Sequence, residues 1–173
     1  AGRSTRRRGW AGCGGTDASP RAGARRDSVR VVEGLEGKVE VRSGLVIGYD
    51  YGAVVPWVRH IDDETIVAIA GPDALVLRTP VALDPESMTH TAEFTVRKGE
   101  RMPFVLTWYP SSESPPDAVD AEEALAHTER LWRDWMEDCR YEGDYKAAVH
   151  TSLLVLKALT YAPTGAIIAA PTT

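Results

Sequence analysis

The residues able to do chemistry are few, and their spacing limits what they can do. Asp62, Asp63 and Glu64 are consecutive acids, and paired carboxylates are the usual apparatus of general acid–base catalysis. Acids bunched between two strand-like runs nevertheless read as a solvated hairpin tip. Glu122 and Glu123 open a helical pattern, where the positive end of the helix dipole favours negative charge, so capping accounts for them. His60, His90, His127 and His150 have no spacing to one another, or to a cysteine or further carboxylate, that would enclose a metal. No metal and no cofactor is expected. His150 and Ser152 lie two apart in a helical run and point away from each other, which excludes a nucleophile–base pair there. Tyr49, Tyr51, Trp57 and Trp108 fall on strand-like text, and sugar rings stack on such faces. Tyr49 and Tyr51 continue the apolar face of their own run, however, so packing is the expectation for them. No residue is assigned a catalytic role.

The composition narrows the partners. Of 173 residues 43% are hydrophobic, enough for one core. The formal charge of -5 conceals an asymmetry: residues 1–30 carry eight arginines against two aspartates, leaving twelve basic against twenty-three acidic residues after them. An acidic body disfavours nucleic acid and anionic membrane as partners, because phosphate contact needs a basic face. Cys13 and Cys139 form neither a metal set nor a disulfide framework, and a reducing, cytoplasmic setting is expected. Every apolar run is broken short of the roughly 20 residues that span a bilayer. Residues 1–26, rich in Arg, Gly, Ser and Ala, cannot bury enough surface to offset ordering entropy and are expected to be disordered. An RNA-binding arm, a mitochondrial transit peptide and non-native sequence are the alternatives for that segment.

Periodicity supplies the elements that must position these side chains. After Asp27 comes a β-branched run, a turn at 33–37, and then a long alternation placing Val39, Val41, Leu45, Ile47, Tyr49 and Tyr51 on one face of a single strand. Further strands are read at PWVRHI, ETIVAIA, ALVLRT, HTAEFTV and MPFVLTWY, separated by Asp–Asp, Gly–Pro–Asp and Lys–Gly–Glu turns. Short strands joined by short turns predict an antiparallel β-sandwich over 27–112. A polar, proline-bearing linker follows, then two helices within 113–173. Asp120 with Glu123 reads as a capping box, Trp132 and Trp135 as packing residues, and Asp144 as the cap of the second helix, which runs to Pro163. That helix is apolar nearly all round near its C-terminal end and expects neighbours on most sides. Because apolar text runs on to the final Thr173, the sequence is read as a piece of a longer chain.

LVIGYDYGAVVPWVRHID, and much later SLLVLKALTY and APTGAIIAAPTT, resemble glycoside hydrolase family 15, the bacterial glucoamylase and trehalase-like enzymes. The resemblance covers 27–173. It implies a β-sandwich of the super-sandwich type, incomplete at its start, followed by a linker and the first helices of a truncated (α/α)6 barrel. It implies hydrolysis of an α-glucosidic bond with inversion by two glutamates that lie outside this chain, an α-glucoside as substrate, and the missing barrel domain as intramolecular partner. The chain alone would then be inactive. Pro171, Thr172 and Thr173, at the APTT step, become the candidates for proximity to substrate. The competing reading is a free-standing carbohydrate-binding or interaction module.

Overall fold

A computed structural model describes residues 26–86, 88–161 and 164–169. The chain divides into two compact units, one ending at His127 and the other beginning at Thr128. In the first unit, β1 (Arg26–Glu33), β8 (Arg101–Pro110), β5 (Asp73–Arg78), β4 (Thr65–Ala70) and β3 (Trp57–Asp62) form an antiparallel sheet in that order. A second antiparallel sheet has the order β2 (Lys38–Leu45), β7 (Thr89–Arg97), β6 (Asp84–Glu86). Their apolar faces meet: Ile66 and Leu77 of the larger sheet pack with Ala92 of the smaller and with Val81 and Leu83 from the connection between them. Phe94 and Phe104 face each other across the interior with ring centroids 5.9 Å apart. This is the expected antiparallel sandwich.

The larger sheet is apolar on its other face too. Val67, Ala74, Val76 and Tyr109 form a second buried cluster there. Burial on both sides explains why TIVAIA is a continuous apolar run and not an alternation. One corner of the sandwich is tied where the β1–β2 and β7–β8 turns cross. Gly34 donates its N–H to the Glu100 carbonyl and accepts from the Gly99 N–H, at 3.0 and 2.8 Å. A Cβ on Gly34 would lie 2.0 Å from the Arg97 carbonyl oxygen, so only glycine fits. Arg101 adds a charged tie, its guanidinium 2.7 Å from both Glu33 and Glu122. Between β1 and β2, both at sheet edges, a cleft of about 420 Å³ opens onto Val32, Val41, Leu45, Phe94 and Phe104.

The linker is held to the sheet by Arg78, whose guanidinium donates to the Pro116 carbonyl at 2.6 Å. Helix α1 (Ala121–Glu137) has the Asp120 half of the expected capping box: the Asp120 carboxylate accepts from the Glu122 and Glu123 N–H groups, both at 2.9 Å.

In the second unit, α2 (Lys146–Ala158) begins after Tyr145, which supplies no side-chain cap, so Asp144 does not play the part expected of it. The helix ends short of Pro163, and a two-residue hairpin of β9 (Thr160–Tyr161) and β10 (Ala166–Ile167) follows. Gly165 carries the positive φ of its turn. Trp132 and Trp135 meet edge to face at 6.5 Å, and the Lys157 ammonium stands 6.0 Å from the Trp135 ring centre. No residue of α2 is buried, and Val155, Leu156, Ile167 and Ile168 are all exposed.

Candidate functional site

The chain leaves β2 after Leu45 and does not continue as a strand. Tyr49 and Val54 exchange two backbone hydrogen bonds of 3.1 Å, closing a small loop around a 3-10 turn, Asp50–Gly52. Asp50, Tyr51 and Gly52 have successive φ angles of 48°, 54° and 86°. Glycine takes that conformation freely, but for a bulky tyrosine it is an outlier costing on the order of 1–3 kcal/mol.

Several contacts impose the loop's shape. Gly52 and Ala53 donate to the Tyr49 and Asp50 carbonyls at 3.0 and 2.9 Å. A Cβ on Gly48 would stand 3.1 Å from the Gly52 Cα, so a glycine there lets the loop ends approach. The Tyr49 hydroxyl donates to the Ala68 carbonyl of β4 at 2.9 Å. Burial, followed by the charge of Asp73 and the neighbouring Tyr109, pushes that hydroxyl's pKa up to about 12, so it remains a donor.

The four aromatic candidates therefore divide. Tyr49 is an anchor, and Trp108 donates its indole N–H to Asp73 at 2.8 Å. Tyr51 is 85% exposed and Trp57 77% exposed, with Val54 and Val55 exposed between them. The expectation that Tyr51 continues an apolar strand face is overturned, because the left-handed residues turn it out to solvent. The signal for this was present in the text: Asp–Tyr–Gly with glycines at 48 and 52 spells a tight turn inside an otherwise strand-like alternation.

The carboxylates sit at structural posts. Asp62 accepts from the Glu64 N–H at 2.9 Å in the exposed β3–β4 turn. Glu122 receives Arg101 from its place in the first turn of α1, where its own N–H donates to Asp120. Glu142 is held by Lys146 at 2.9 Å, which lowers its pKa. Spacing missed one association: His60 of β3 and His90 of β7 come from different sheets and meet with ring centroids 5.6 Å apart. His90 is buried, and burial, then the neighbouring His60, lower its pKa. Among the described residues no group of three or more His, Cys, Asp or Glu is disposed to hold a metal ion. No helix among them is long and apolar enough to cross a membrane. Pro171, Thr172, Thr173 and Cys13 lie outside the described residues, as does the Arg-rich segment up to residue 25.

No family model matches the chain, and no solved structure does. Among curated proteins, the chain is 30% identical over 154 residues to a trehalase of Mycobacterium tuberculosis, a match covering 84% of this chain and 22% of that protein. It is 29% identical over 153 residues to a trehalase of Mycolicibacterium smegmatis, covering 84% and 23%. A trehalase of Thermoplasma acidophilum is 46% identical over 48 residues, 28% of this chain and 8% of its own length. The chain thus spans less than a quarter of the length of the curated relatives it matches over most of its own residues.

Proposed function

We propose that this chain is the sandwich and first barrel helices of a cytoplasmic family 15 glycoside hydrolase that cleaves an α-glucosidic bond, trehalose being the first substrate to try. The observation that carries the reading is the similarity to two trehalases over 84% of the chain. The fold supports it at two places. The cleft between the edge strands β1 and β2 exposes interior side chains, as expected of a sandwich that lacks strands. The unburied apolar residues of α2 are those of a helix that takes other helices as neighbours.

In the complete enzyme, a carboxylic acid protonates the glycosidic oxygen as the bond to the anomeric carbon breaks. A carboxylate on the opposite face takes a proton from the water that attacks that carbon. The two groups stand about 6.5–9.5 Å apart to admit the water. Neither is assigned to a residue of this chain. The chain's own part is to supply the sandwich that packs on the barrel and shapes the rim of its active site, with Pro171, Thr172 and Thr173 at the entry to the substrate loop. Alone it is inactive.

The test is to express the protein read from the whole gene and follow trehalose by NMR. Inversion releases one α-glucose and one β-glucose from each trehalose before mutarotation, whereas retention releases only α-glucose. A complete protein that leaves both trehalose and maltose uncut would defeat the proposal.

A further inference from the structure

Exposed aromatic rings usually relax toward an apolar surface or lie on a flexible tip. The Tyr51 ring does neither, because its backbone is fixed in a left-handed conformation by two cross-loop hydrogen bonds, two glycines and the Tyr49 anchor. A strained conformation that so many contacts enforce, and that results in an exposed ring, is a place to look for binding. Trp57, on the same segment, enters β3 with its side chain on the sheet face opposite the sandwich interior, registered with Ile69, and is likewise left open. Asp50, exposed beside Tyr51, adds a carboxylate.

We infer that the segment from Tyr49 to Trp57 is a preformed contact for α-linked glucose, with Tyr51 and Trp57 as stacking surfaces and Asp50 as an acceptor for a sugar hydroxyl. The chemistry fits the class. The C–H face of a pyranose is apolar and slightly positive and rests on the negative face of an aromatic ring, while its rim hydroxyls donate to a carboxylate. A loop backbone fixed before binding has less conformational entropy left to lose, which favours a weakly held sugar. The aromatic contact stands on this geometry. The choice of α-linked glucose rests on the glycosidase reading above.

The test is a titration of the chain with trehalose, maltotriose and cellobiose, followed by the ring-proton signals of Tyr51 and Trp57. Trehalose or maltotriose at millimolar concentration is expected to shift both. Tyr51→Ala should weaken binding about five- to tenfold, as loss of one stacked ring does. Tyr51→Phe should stay within about twofold, since the ring is kept. Tyr51→Gly, which accepts the backbone angle, should lose affinity like Tyr51→Ala while melting no lower than the parent, separating binding from folding. Three results would overturn the inference: no sugar-dependent shift at these rings, equal loss in Tyr51→Phe, or rings already shielded in the complete protein without sugar. If the complete enzyme cleaves trehalose while these rings ignore it, the glycosidase reading stands and this one falls. Equal response to cellobiose would refute the α-linked assignment.

Discussion

At the scale of single residues, buried His90 and half-buried Tyr49 each tie the stability of the sandwich to pH. His90 has a folded pKa below the ordinary 6.5, through burial and then His60. The residues registered with this pair, Leu45 and Pro85 beside His90 and Ile66 beside His60, carry no charge. The unfolded chain therefore takes up the proton first. Stability should fall as pH drops below about 6.5, levelling once the folded His90 is protonated as well. A melting series from pH 7.5 to 5, run beside His90→Gln, checks this as an order-of-magnitude window around the ordinary imidazole value. An unchanged acid slope in the variant would remove His90 from the account. Tyr49 has the opposite limb, since its folded pKa of about 12 exceeds the ordinary 10.0. Its contribution is whole below pH 10 and is lost as the pH rises from there through about 12. Tyr49→Phe should cost about 1 kcal/mol at neutral pH for the lost bond to Ala68, and should show a shallower alkaline decline. Urea melts at pH 7 and pH 11 measure both. Neither environment was legible in the sequence, because each depends on a neighbour brought from another strand.

At the scale of elements, the legible strands were those whose pattern is their own. ETIVAIA, ALVLRT, HTAEFTV and MPFVLTWY became β4, β5, β7 and β8 because their apolar and β-branched residues fill the interior and the second buried cluster. The three residues of β6 carry no periodic signal and are strand only by pairing with β7. Two boundaries misled for local reasons. The alternation beyond Leu45 conceals left-handed residues at 50–52, and the apolar run through α2 says nothing of where its hydrogen bonding stops. Gly34 is the element-scale position most open to test, because its missing Cβ lets two turns cross. Gly34→Ala should cost roughly 1–3 kcal/mol, as an overpacked contact against backbone does. Equilibrium urea unfolding of the first unit's signal would show it, and a loss below about 0.5 kcal/mol would mean that the corner yields.

At the scale of the whole molecule, the candidate site was half legible. The aromatic types were visible in the text, but which of them face solvent was decided by a three-residue turn and by hydrogen bonds spanning strands. Of the carboxylates noted in the sequence, Asp62 serves a turn, and Glu122 and Glu123 occupy a first helical turn that Asp120 caps. The strand order itself governs how this polypeptide can come to its final shape. Asp27 of β1 is hydrogen-bonded to Thr107 of β8, 80 positions away. A ribosome must therefore deliver almost the entire sandwich before the first strand meets its neighbour. Until then its edge stays unpaired, and strand pairing over such a separation slows folding and leaves the nascent chain open to aggregation.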